Sequence, residues 1–350
     1  MKNILKDSLL ILILIYTIAI GLISLNIINK YVLHFEIFAV ILAVIAFISL
    51  KKNKEFSIKE YWIALPLLII LVTRILPYLT NNIPLGYDTG IYKYIIENPF
   101  SQDKWVLQGW ELGLFFITSL LKLLGLSTNT IMTYVLVLFE LILGLMIYIT
   151  AKKYFNKEIG FFALLIFSVS IAQFKTFAFM YYKNILGLIL MLLAFYFLKD
   201  RKYWAMIITA AYLGGTHRPS YLIFAFIYIV YTIINFKSWK KNILNGALIV
   251  LLTLPFYIGR FKEAILPAID PILEANIGAG TFINLLQYQF LSLAYLPFAF
   301  LGFIYLIRKK DFNVLTLWFA ITAAIVYFKI IFFNRYIIHL DIAMIIMAAV

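Results

Sequence analysis

The chain has 350 residues, of which 64% are apolar and 13% charged, and its mean hydropathy is +0.98. Soluble domains are roughly half apolar and a quarter charged, so the composition excludes a soluble domain and points to an all-α, polytopic integral membrane protein. Cysteine is absent, which removes disulfides and Cys-based metal sites, and the net charge of +14 sits in short loops between apolar runs, the pattern of membrane topology and anionic headgroups rather than of nucleic acid.

A spanning helix needs ~20 mostly apolar residues. In chain order such runs fall at 8–28, 33–50, 60–79, 131–151, 159–174, 184–198, 203–216, 220–236, 241–258, 285–307, 312–331 and 336–350, a bundle of about 11–12 transmembrane helices. The first run follows Lys2 and Lys6, lacks a small-residue cleavage site and is followed at once by a second run, so it reads as a retained anchor. Residues 1–59 thus form two N-terminal spans and 60–350 the main bundle.

One apolar stretch, 111–126, sets the orientation of everything after it. If it does not cross, Lys2, Lys6 and the loops 51–60, 152–158, 199–202, 237–241 and 308–311 share one side and hold more than half of the 30 Lys and Arg residues. Short-loop Lys and Arg bias marks the cytoplasmic side. The stretch is therefore expected to be an interfacial helix, with Trp105 and Trp110 before it and Lys122 within it. The N-terminus is then cytoplasmic in the cell membrane, and two longer external segments remain, 77–130 and 259–284.

The first of these carries Asn81, Asn82, Pro84 and Gly86, all turn formers, then Tyr87 and Asp88 at the expected start of a helix over 89–97. A carboxylate there either caps the helix, contributing about 1 kcal/mol, or does chemistry. The Pro-x-Gly-Tyr-Asp turn outside a span, with an aromatic-flanked interfacial helix after it, resembles the first external loop of the GT-C superfamily. The likeness is nearest to protein-mannosyltransferase-like and aminoarabinose-transferase-like members, and it continues through AKKYFNKEIG (151–160), GFFALLIFSVS and FKTFAFMYYKN over roughly 60–340. These are membrane glycosyltransferases that use polyprenyl-phosphate-linked sugars.

The resemblance implies that 60–350 is a GT-C-like catalytic module passing a sugar to an acceptor hydroxyl of a protein, lipid or glycan with inversion, and that Asp88 is general base or orients the acceptor or a metal. It differs from those families in lacking an adjacent Asp/Glu pair at Asp88, leaving Glu97, Asp103 or Glu111 as company. A divalent cation, Mg or Mn, is compatible with the resemblance and required by nothing in the sequence. Charge on a polyprenyl phosphate needs cations near the membrane surface. Lys183 after two tyrosines, Arg218 beside His217 in GGTHRPS, and Arg335 in FFNRYIIHLD are the candidates; each also fits a headgroup anchor or a solvated turn. With three histidines in all, a His-rich zinc site is not expected.

Glu140 differs from these, lying in the middle of an apolar run where an ionised carboxylate costs about 2.5–3.5 kcal/mol. It is either hydrogen-bonded to a neighbouring helix or the core of a rival function, a lipid or solute transporter. A transporter is expected to show broken helices and a relay of such groups. The sequence displays no break and only Glu140.

Overall fold

A computed structural model describes residues 59–79, 83–98, 103, 106, 111–259, 283–330 and 333–350, and every regular element among them is a helix. The expected spans at 8–28 and 33–50, most of the loop 51–60, Asn81, Asn82, Trp105, Trp110 and nearly all of 259–284 lie outside the described residues.

Helix α1 (Glu60–Leu79) leads to a turn and to α2 (Thr89–Glu97), with the bounds expected from the turn residues. Gly86 makes that turn with φ +105°, and a Cβ there would lie 2.6 Å from the Met180 Cβ and 2.8 Å from the Phe179 carbonyl carbon. Only glycine meets both conditions. Helix α3 (Leu112–Leu123) precedes α4 (Thr128–Tyr154), the longest helix among the described residues. The Ser127 hydroxyl opens α4 by accepting the Thr130 N–H at 3.1 Å, and at 27 residues α4 extends about 40 Å.

Asn156 caps α5 (Lys157–Val169), which stops where Ser170 caps α6 (Ile171–Ala178) by accepting the Gln173 N–H at 3.3 Å. Then come α7 (Tyr182–Lys199), α8 (Tyr203–Thr216), α9 (Arg218–Ile234) with Pro219 in its first turn, and α10 (Trp239–Thr253). The chain resumes with α11 (Leu285–Ser292), α12 (Leu296–Arg308), α13 (Val314–Tyr327) and α14 (Phe333–Ala348).

Helices α4 and α7 are central, with 61% and 67% of their apolar stretches buried against 22% for α1, which lies at the periphery. Around them α5 packs on α4, α8 on α7, α10 on α8, α13 on α9, and α14 on α12 and α13. Among the described residues three helices, α1, α4 and α7, are each long and apolar enough to cross a membrane, and up to six spans result if each bent pair counts as one.

Two expected continuous spans are broken, which corrects the expectation from the sequence. The run 159–174 bends by 56° between α5 and α6, and the run 285–307 bends by 83° between α11 and α12. The first break is made by a single small residue, Ser170, whose extended backbone (ψ 119°) and capping hydroxyl end one helix and start the next. The second precedes Pro297, in the first turn of α12.

Among the described residues, the basic loops 152–158, 199–202 and 237–241 gather at one end of the bundle. Lys152 pairs with Glu60 at 2.9 Å, Lys153 pairs with Asp200, and Lys241 stands over the Tyr203 ring at 3.6 Å. Both ends of α3 lie at the opposite end: Glu111 meets the starts of α7 and α9, and Ile131, in the first turn of α4 after the short link from α3, accepts a hydrogen bond from the Tyr182 hydroxyl at 3.0 Å. Helix α3 therefore leaves and re-enters at one end of the bundle without traversing it.

Candidate functional site

At the end opposite the basic loops, three helix starts converge. Glu111 immediately precedes α3, Lys183 is in the first turn of α7, and Arg218 opens α9. Lys183 Nζ donates to Glu111 Oε2 at 2.8 Å, and Arg218 donates to Oε1 through Nε at 2.9 Å and through its backbone N–H at 3.4 Å. The Glu111 side chain is 3% exposed, while those of Lys183 and Arg218 keep 18% and 26%. Burial alone pushes the Glu111 carboxyl up, but the charges of Lys183 and Arg218 outweigh it and hold the group well below the usual carboxylate range. It is a fixed anion at neutral pH.

The remaining candidates surround this triad. The Lys183 backbone N–H faces the Tyr92 hydroxyl of α2 at 3.5 Å, and Tyr92 feels the charges of both Asp88 and Glu111. Asp88 stands at the start of α2 as expected, yet its side chain makes no capping bond, so the capping role does not hold in the structure. Its φ of −85° and ψ of 8° do not present the carboxylate to the first-turn N–H groups as an extended N-cap residue does. Burial raises the Asp88 carboxyl above its ordinary value, against a weaker opposing pull from Lys183. Tyr87 beside it is 78% exposed. Arg335, near the start of α14, acts electrostatically on both Lys183 and His217. Asp88, Glu111, Lys183, His217, Arg218 and Arg335 thus come together, and Glu140 does not.

Glu111, named from the sequence only as a supporting group, is the centre of the arrangement. Lys183 and Arg218 were expected to serve a phosphate, but each already meets one oxygen of Glu111. Among the described residues no group of three or more His, Cys, Asp or Glu could hold a metal ion, and both Glu111 oxygens are engaged by cations.

His339 and Asp341, which follow Arg335 in FFNRYIIHLD, are both fully buried in α14. His339 lies against the Ser220 hydroxyl at 2.7 Å. Asp341 accepts from Gln173 at 2.7 Å, from Ser170 at 3.1 Å and from Tyr295, so it sits at the break between α5 and α6.

Glu140 lies in the interior with a partner on a neighbouring helix, as one sequence alternative had it. The partner is Arg74 of α1, which Nε brings to 3.4 Å, with both side chains fully buried. Arg74 also donates to the Ser168 carbonyl at 3.4 Å and stacks on Phe174 at 5.3 Å. Arg74 was missed although one basic residue inside the run 60–79 carries the same signal as Glu140. Ser220, Tyr92, Gln173 and Tyr295 were also missed, and no local pattern marks them, because their partners are distant in sequence.

No protein-family model and no curated protein matches this chain.

Proposed function

We propose that this protein is a membrane glycosyltransferase that takes a sugar from a polyprenyl phosphate and passes it, on the outer face of the membrane, to an acceptor hydroxyl. The observation that carries the proposal is the convergence of Asp88, Glu111, Lys183, Arg218 and Arg335 at the end of the bundle remote from the Lys-rich loops. Three cations against two carboxylates leave a net positive patch where a lipid-linked phosphate would arrive. The row Leu65, Leu68, Val72, Leu76 and Leu79 exposed along α1 supports a lipid environment, since an apolar strip of that length is unusual against water.

In this reading Asp88 takes the acceptor proton. A positioned base contributes about 10²–10⁴-fold to rate, and a carboxyl raised by burial is a better base than one in water. Arg335, with the exposed faces of Lys183 and Arg218, stabilises the phosphate as the glycosidic bond breaks. Glu111 fixes the two cations in place and stays ionised throughout. Tyr87 offers an exposed ring beside the base, suited to the face of a sugar.

The expected result for Asp88→Asn is a loss of about 10²–10⁴-fold in transfer from a polyprenyl-phosphate sugar by the purified protein. Because Asp88 must be ionised to act, wild-type transfer is expected to rise with pH through its elevated value. Full activity in the variant sinks the proposal.

A second reading, a lipid or solute transporter, gains from two observations. The helix pairs α5/α6 and α11/α12 are broken, and the interior holds Asp341 and the Arg74–Glu140 pair rather than Glu140 alone. Flux into liposomes that is lost in Glu140→Gln would favour it.

A further inference from the structure

Beneath the Glu111 triad lies a second polar arrangement. Ser220, in the first turn of α9, has its hydroxyl 2.7 Å from His217 Nδ1 and 2.7 Å from His339 Nε2. The two imidazole rings are parallel within 4°, with centroids 6.1 Å apart. Ser220 and His339 are fully buried and His217 keeps 9% of its surface. Gly187 of α7 permits this approach, because a Cβ there would lie 2.9 Å from both the His217 Cβ and the Ser220 hydroxyl.

A hydroxyl has one proton, so it donates to one ring and accepts from the other. Because Ser220 meets His217 through Nδ1 and His339 through Nε2, the two neutral rings must carry the same tautomer. In one state both are protonated at Nδ1, with His217 donating to Ser220 and Ser220 to His339. In the other both are protonated at Nε2 and every bond direction is reversed. The Ser220 backbone N–H points at His217 Nδ1 at 3.4 Å, which favours the second state at that ring, while the Arg335 carbonyl, one turn before His339, acts as an acceptor toward the other ring and favours the first.

We propose that His217, Ser220 and His339 form a proton relay that ends at the candidate site. From the Nδ1-protonated state, a proton accepted at His217 Nε2 drives the Nδ1 proton to the Ser220 oxygen and the Ser220 proton to His339 Nε2. His217 and Ser220 finish neutral, and the positive charge rests on His339, now protonated at both nitrogens. Returning the proton reverses each step, so no other reactant is consumed. Glu111, Lys183 and Arg335 are the charged groups acting on His217, and the Tyr336 ring meets the edge of His339. Only the use of the proton, exchange with a reacting hydroxyl or phosphate, rests on the transferase proposal.

The test is ¹⁵N NMR of histidine-labelled full-length protein carrying His34→Gln, which leaves His217 and His339 as the two imidazoles of the three-histidine chain. The expected result is one shared tautomer for both rings and a joint response when pH is varied. Ser220→Ala is expected to abolish that joint response, and Ser220→Thr, which keeps a hydroxyl, to preserve it. Opposite tautomers in the Ser220 protein, or independent titration of the two rings, would overturn the relay even if Ser220→Ala failed to fold. The spectra do not depend on transfer activity, so the relay and the transferase proposal fail separately.

Discussion

Glu111→Gln is expected to destabilise the protein by about 2–3 kcal/mol in denaturant titration and to reduce binding of a phosphate-bearing ligand at the same time. The carboxylate is nearly fully buried and holds two cations at 2.8 and 2.9 Å. Removing it leaves the Lys183 ammonium and the Arg218 guanidinium facing each other with no anion between them. Breaking a buried pair typically costs about 3–5 kcal/mol, and the lower figure is chosen because Lys183 and Arg218 keep part of their surface in solvent. The sign with pH follows from the depressed Glu111 value. Its contribution is fully present above the unfolded carboxyl value of about 4.3 and is lost as pH falls through the lower folded value. The variant should therefore lose the part of the acid-side decline in stability that Glu111 contributes.

Arg74→Met is expected to cost more, about 3–5 kcal/mol, because it strands Glu140 as an unpaired group in the interior. Arg74 and Glu140 are both fully buried and meet at a single 3.4 Å contact, leaving Arg74 Nη2 and Glu140 Oε1 without partners among the described residues. So loose a pair gains little over an apolar replacement of similar size. The double variant Arg74→Met/Glu140→Leu should accordingly recover most of the loss. A double-variant stability no better than the single one would mean that the pair does more than neutralise itself, and would strengthen the transporter reading.

Much of the fold was legible because it depends on local pattern. Turn formers at Pro84 and Gly86 fixed the start of α2, and the distribution of lysines indicated that 111–126 does not traverse the bundle, in agreement with the contacts of Glu111 and Ile131 at one end. The break at Ser170 was not legible, since Phe-Ser-Val-Ser within an apolar run is compatible with a continuous helix. What makes it a break is the capping geometry of Ser170 and its bond to Asp341, 171 residues away.

The site shows the same division. Lys183, Arg218, His217 and Arg335 could each be picked out as a polar group at the end of an apolar run. That Glu111 would hold Lys183 and Arg218 across separations of 72 and 107 residues is a property of helix packing, with no local sequence signal. The role of His339 is not legible from position alone, which does not reveal Ser220 between it and His217. Arg74, by contrast, was readable: a charge inside an apolar run calls for a partner, and Glu140 was already waiting for one.

The most direct measurement is binding of polyprenyl monophosphate, the product common to every donor sugar, to purified wild-type and Arg335→Ala protein, with the corresponding polyprenol as control. Polyprenyl phosphate binding the wild type, weakened about tenfold or more in Arg335→Ala, with little binding of the alcohol, is the predicted result. Equal binding of phosphate and alcohol, or binding indifferent to Arg335, would contradict the assignment of this end of the bundle as a lipid-phosphate site.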